Sequence, residues 1–171
     1  LNDELVQYEL KDFPGRTFYR NAGSSKREGV EIGLTSFISK GLTGSAVYTF
    51  SDFTYLDFKT LDAVNDGKLL PGIPKQFGYG ELSYVHPSGF YSKLQAQSTG
   101  ELYADDANEV KEQPYSVFNI RVGYQKRFSE WLFEPFAGIN NLFDKKYNSN
   151  VRLNAWGGRY FEPAPGFHIY G

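Results

Sequence analysis

The reading of the fold turns on Phe90-Tyr91-Ser92-Lys93-Leu94-Gln95-Ala96-Gln97-Ser98-Thr99-Gly100-Glu101-Leu102-Tyr103. One set of alternate positions holds Phe90, Ser92, Leu94, Ala96, Ser98, Gly100 and Leu102. The other holds Tyr91, Lys93, Gln95, Gln97, Thr99, Glu101 and Tyr103. Successive side chains of a strand point to opposite faces. A period of two sustained this long predicts a strand with one small or apolar face and one polar face.

The same alternation spreads to both sides. Over 115–125, Phe118, Ile120, Val122 and Tyr124 oppose Asn119, Arg121, Gly123 and Gln125. Over 30–38 the apolar set is Val30, Ile32, Leu34 and Ile38, and over 42–50 it is Leu42, Ala46, Tyr48 and Phe50. No helical period stands out. Strands are expected at 4–10, 17–39 (interrupted near 21–27), 42–55, 75–85, 90–103, 115–126 and 131–147, with an eighth starting at 167. Their connections alternate in length. Lys40-Gly41, His86 to Gly89 and Lys126 to Glu130 are short, whereas 55–75, 104–114 and 148–166 are long. Short turns on one rim and long loops on the other is the arrangement of a membrane barrel. A tilted strand crosses a bilayer in about 9–11 residues, longer than the usual soluble strand.

Composition agrees. The chain has 171 residues, with 13 Tyr, 15 Phe and 18 Gly. Tyr and Phe favour pleated, half-buried surfaces, and Gly marks turns and bulges. The formal net charge of −2 gives no pull toward nucleic acid. Without cysteine there is neither a disulfide framework nor a thiolate zinc site. No run of about 18 apolar residues suggests a membrane helix, a criterion that does not touch barrels. Aromatics gather at strand ends, at Tyr48 and Phe50, Phe90 and Tyr91, Tyr103, Tyr115, Phe128 and Trp131, and Phe143 and Tyr147. Girdles at two membrane interfaces explain that clustering better than a soluble β-sandwich core.

Few residues suggest chemistry. Asp57, Asp62, Asp66, Asp105 and Asp106 lack calcium-loop spacing and read as solvated loop acids. His86 and His168 fall on opposite rims, so no shared metal site is expected. No nucleophile elbow or phosphate-binding loop is present, and Gly78-Tyr79-Gly80 reads as thin packing or a bulge. Neither an enzyme activity nor a cofactor is expected. Arg152, Asn154, Trp156, Arg159 and Tyr160 share the last long loop. Such residues can meet an anionic, ring-bearing ligand or can simply order the loop.

Five segments in order carry a family resemblance. They are Asn21 to Glu31 (N-A-G-x-x-x-R-x-G-V-E), Leu70 to Lys75 (L-P-G-I-P-K), Tyr103 to Asn108, Pro114 to Arg121, and the C-terminal run. That run places Asn141-Leu142-Phe143-Asp144-Lys145-Lys146-Tyr147 before Pro163-Ala164-Pro165-Gly166. The chain resembles the C-terminal barrel portion of TonB-dependent outer-membrane receptors. The resemblance implies an all-β, antiparallel transmembrane barrel, with 1–171 as one partial barrel domain of about eight strands within a 22-stranded whole. It implies partners too: an N-terminal plug and earlier strands not seen in this chain, the TonB energy-coupling complex acting through the plug, outer-membrane lipid, and a scarce ligand such as a ferric siderophore. The expected location is the outer membrane of a Gram-negative bacterium. Rival readings are an importer of a vitamin, cofactor or haem, a stand-alone eight-stranded structural or adhesion barrel, and a soluble β-sandwich.

Overall fold

The computed structural model describes residues 5–9, 12–21, 23–59 and 63–171. Residues 4 and 10, the ends of the first expected strand, and Asp62 lie outside them. Fifteen strands follow in order: β1 (Leu5–Glu9), β2 (Thr17–Asn21), β3 (Ser24–Ser39), β4 (Leu42–Asp57), β5 (Gln76–Val85), β6 (Phe90–Thr99), β7 (Leu102–Tyr103), β8 (Lys111–Glu112), β9 (Tyr115–Tyr124), β10 (Lys126–Phe128), β11 (Trp131–Phe133), β12 (Phe136–Asn140), β13 (Asn148–Val151), β14 (Phe161–Pro163) and β15 (His168–Tyr170).

Seven of them form one antiparallel sheet in the order β15-β12-β9-β6-β5-β4-β3. The register sorts side chains into rows. Leu34, Ala46, Gly80, Ala96 and Phe118 lie in one row, and Leu82, Leu94, Ile120, Ile139 and Ile169 in another. Between them, on the opposite face, run Thr35, Ser45, Glu81, Gln95 and Asn119. Ile120 and Arg121 therefore face opposite ways, as the alternation predicts.

The apolar face is uncovered. Ile32, Leu34 and Ile38 are 60%, 66% and 56% exposed, and Leu82, Leu94 and Val122 are also open. A soluble sandwich would bury this face under a second sheet. The remaining strands form only two-stranded ribbons. An apolar surface of this extent matches a lipid-facing barrel wall and excludes the sandwich.

The wall is an open arc. β1 pairs with β2, β15 pairs with β12, and β3 and β15 are the edges of the sheet. The described strands thus do not close into an eight-stranded barrel, which removes that rival.

The short turns expected at 40–41, 86–89 and 126–130 occupy one rim. Gly41 accepts from Val85 N–H at 2.7 Å, and Gly89 accepts from Gln125 N–H at 2.8 Å. Both glycines have positive φ, +79° and +103°, and a Cβ at either would meet a facing carbonyl oxygen. The connections 58–75, 100–114 and 141–167 lie on the other rim, as the loop lengths imply.

Several boundaries differ from expectation. Within the expected break at 21–27, Ser24 to Arg27 join the β4 ladder. Strand 90–103 ends at Thr99, so Leu102 belongs to the small β7–β8 ribbon and not to the apolar wall. The strand expected over 131–147 breaks at Glu134-Pro135, because Pro135 has no N–H to donate. It stops for good at Asn141, whose φ of 51° turns the chain. Gly78 and Gly80 sit in an unbroken ladder, not at a bulge.

The girdle also divides. Phe90, Phe118 and Tyr48 lie in apolar rows, whereas Tyr91 and Tyr115 lie in polar ones. Tyr91 donates to Glu134 at 2.8 Å, and Tyr115 stacks on Tyr147 at 4.4 Å. Phe118 instead meets Phe143 edge-on at 5.3 Å. Tyr91 and Tyr115, with Tyr147 stacked on the latter, therefore belong to the lumenal side.

Candidate functional site

The long loops are knitted together. Tyr55, at the end of β4, donates its hydroxyl to Asp106 at 2.7 Å. Asn108 accepts from Leu69 N–H at 2.8 Å and donates to Leu69 C=O at 2.9 Å. Gly72 N–H donates to Tyr103 C=O at 2.7 Å. Tyr55, Phe58 and Leu70 pack as a small buried core beneath these bonds.

Asp105 and Asp106 are thus not the solvated acids the sequence suggests. They are 8% and 7% exposed. Asp105 accepts from the N–H groups of Glu109 and Val110, satisfying a tight turn in which Asn108 takes φ 55°. Asp66 likewise accepts from Phe58 N–H at 2.8 Å. These acids are structural, and among the described residues no group of His, Asp and Glu forms a metal cluster. His86 sits in a short turn and His168 opposite Asn140 near the other rim.

The last loop, residues 141–167, builds on this platform. Its strands β13 and β14 form a ribbon. Asn154, with φ 51°, donates its N–H to Ala104 C=O at 2.8 Å, and its side-chain oxygen accepts from Asp106 N–H at 3.0 Å. Asn154 therefore anchors the loop to its neighbour. Tyr160 is half-buried beside Asp105 and Glu109. Burial, then those acids, raise its hydroxyl above the usual tyrosine value.

The other three expected residues meet at one cavity. Arg152, Trp156 and Arg159, with Ala155, line about 350 Å³ closed on the far side by Pro14 and Gly15, from between β1 and β2. Arg152 is held in place, giving Nη2 and Nε to Glu162 Oε1 at 2.6 and 2.7 Å. Bonds from Asn150 and Arg152 hold the Glu162 carboxyl below the usual range. Arg159 makes no ion pair or hydrogen bond through its side chain among the described residues, and Trp156 is 44% exposed. Arg16 lies one residue beyond Gly15, with its guanidinium 5.9 Å from the Phe13 ring. An exposed cation, a tethered cation and an indole suit an anionic ligand with a flat face. No sequence signal pointed to Pro14 or Gly15, which reach the cavity from the opposite end of the chain.

Below the rim, the polar face forms a neutralised wall. Glu81 pairs with Lys93 at 3.1 Å and accepts from Gln95 and Tyr79. Glu134 receives Tyr91 and stands 3.8 Å from Arg121, whose guanidinium lies 4.0 Å over Phe136. A cavity of about 580 Å³ opens on this wall beside Tyr91, Lys93, Arg121 and Glu134.

The family model described as TonB dependent receptor-like, beta-barrel matches residues 2–142. The chain belongs to the TonB-dependent receptor β-barrel family. Members of that family are transport receptors, and their barrels stand in the outer membrane of Gram-negative bacteria. Solved structures agree on the fold. The siderophore receptor PiuA from Acinetobacter baumannii is 24% identical with a TM-score of 0.73, the similarity covering 96% of this chain and 23% of PiuA. BauA, the ferric preacinetobactin receptor from Acinetobacter baumannii, is 15% identical with a TM-score of 0.74 over 97% of this chain and 25% of its own. The copper transporter OprC is 20% identical with a TM-score of 0.72 over 98% and 25%. This TonB-dependent receptor chain thus spans about a quarter of the length of those structures.

Proposed function

We propose that this chain forms part of the wall and outer loops of an outer-membrane receptor that imports a scarce anionic, ring-bearing ligand, a ferric siderophore being the best fit. In this reading the parent barrel has 22 strands and encloses a plug carried elsewhere in the protein. The inner-membrane TonB complex supplies the energy through that plug, and no covalent chemistry is involved. The observation that carries the reading is the meeting of Arg159, Arg152 and Trp156 at one cavity on the long-loop rim of a transport-receptor barrel. Guanidiniums favour the oxygens that surround a chelated metal, and the indole offers a face to a ring. Asn154 and Tyr160 support that rim from behind and are not expected to touch ligand.

A second reading, a ligand without iron, draws on the similarity to the copper transporter OprC. Binding to the whole receptor separates the two. An anionic ferric tris-catecholate should bind, and Arg159→Ala or Trp156→Ala should weaken it about ten- to hundredfold, the scale of a lost charged hydrogen bond. Equal binding by wild type and both variants would refute the site. Binding of a copper complex or haem but of no ferric chelate would establish the second reading.

A further inference from the structure

The hairpin β10–β11 stands out on the short-turn rim. Its register pairs Lys126 with Phe133, Arg127 with Leu132 and Phe128 with Trp131, around a turn in which Ser129 has φ 52°. Trp131 is 81% exposed, more than the other apolar residues of this ribbon, and Phe128 and Phe133 are open too. Gln125 and Glu134 point to the lumen, where they approach each other and Glu134 receives Tyr91. Their neighbours Lys126 and Phe133 therefore point outward. Phe128 and Trp131 share that outward side, so the lipid-facing wall continues onto the ribbon.

Depth follows from spacing. Phe118, packed on Phe143, is the outward-facing aromatic of β9 nearest the long-loop rim. From 118 to 128, ten steps of about 3.3 Å at the usual barrel tilt give roughly 25 Å, the height of an apolar barrel band. Phe128 and Trp131 thus lie where the opposite leaflet ends. Lys126 sits just inside that level, and its ammonium lies 5.1 Å from the Phe128 ring, out along the ribbon toward the tip. An amphipathic chain does this when its stem lies in apolar surroundings and its charge seeks the headgroups. The charged groups of the ribbon are Lys126 on the outward side, Arg127 on the other parity and Glu130 at the turn.

We infer that the β10–β11 hairpin is a docking site for anionic phospholipid of the periplasmic leaflet, with Phe128 and Trp131 at the acyl boundary and Lys126 on the headgroup phosphate. The inference rests on the membrane placement of the wall and is independent of the ligand taken up outside.

The test uses the whole receptor in nanodiscs of phosphatidylethanolamine, with or without phosphatidylglycerol, and hydrogen exchange of residues 126–133. Phosphatidylglycerol should slow exchange there roughly fivefold per cation engaged. Lys126→Gln should abolish the difference, whereas Arg127→Gln, on the lumenal parity, should leave it, with β9 and β12 keeping their protection in both. Phe128→Ala with Trp131→Ala should abolish it too. Equal exchange in the two lipids, or no effect of Lys126→Gln, would overturn the proposal. Protection by glycerophosphate in detergent alone would also overturn it, as a soluble anion site. So would protection that requires an added periplasmic extract, as a protein contact. Loss of siderophore binding with intact lipid protection would sink only the ligand reading.

Discussion

Val122→Arg tests which face of the wall meets lipid. Val122 lies between the aromatic levels at Phe118 and Phe128, in a row with Ser92 and Ala137. A lipid-facing arginine costs about 2–4 kcal/mol near the midplane and about 0–1 near an interface. The unfolding equilibrium should therefore shift roughly 30- to 1,000-fold toward the unfolded state. Two comparisons fix the reasoning. Ser116→Arg stays on the apolar face but beyond Phe118, and should cost no more than about 1 kcal/mol. Gln95→Arg points to the lumen, where Gln95 donates to Glu81 at 2.9 Å, so a guanidinium finds a carboxylate already in place. It should be close to neutral. The assay is urea unfolding of the whole receptor in lipid vesicles, followed by the gel-mobility shift of folded barrels. Gln95→Arg costing as much as Val122→Arg would show the faces to be assigned the wrong way round.

Four further outcomes follow from the geometry. Asp106→Ala removes the buried Tyr55–Asp106 bond between two loops, should cost about 1–3 kcal/mol, and should speed hydrogen exchange across 104–110; unchanged exchange would deny the latch. Glu162 is held down in the folded ribbon by Asn150 and then Arg152, so its contribution is present above the ordinary value of 4.5 and lost as pH falls through the lower folded value. Protection of β13–β14 should accordingly fade only below about that pH, and fading at neutral pH would contradict it. Gly89→Ala places a side chain at φ +103° against the Gln125 carbonyl and should lower folding yield, whereas Gly67→Ala, with positive φ but no close neighbour, should do so less. Equal yields for the two would argue against the interlocked turns. Finally, the 171-residue chain alone should fail to give a protease-resistant barrel in lipid, because the open edges of β3 and β15 leave backbone groups unpaired; a resistant product would contradict the arc.

The wall was legible because its signal is local. In β6 and β9 each residue's face follows from its parity, and lipid and lumen demand opposite chemistry of the two parities. What depends on distant partners was not legible. Asp105 and Asp106 look like exposed loop acids until Tyr55 and Asn154 arrive from other loops. Tyr91 and Tyr115 look like girdle residues because aromatic rings serve either face, and only the register shows them turned inward. The long C-terminal strand was overextended because Phe143 and Tyr147 suit a strand locally, while Pro135 and the left-handed Asn141 decide against it. Of the five loop residues singled out, three line the cavity, and Pro14 and Gly15 complete it from a part of the chain that periodicity cannot link to them.

The small core of Tyr55, Phe58 and Leu70 lies outside the membrane band, while the sheet itself buries almost nothing in water. The two halves of the molecule therefore answer to different solvents. Mild denaturant should melt the loop platform first, leaving a wall whose integrity depends on acyl chains. A thinner or more fluid bilayer should loosen the wall while the platform keeps its shape. A receptor built this way can reshape what it recognises above the membrane without renegotiating how it is held within it.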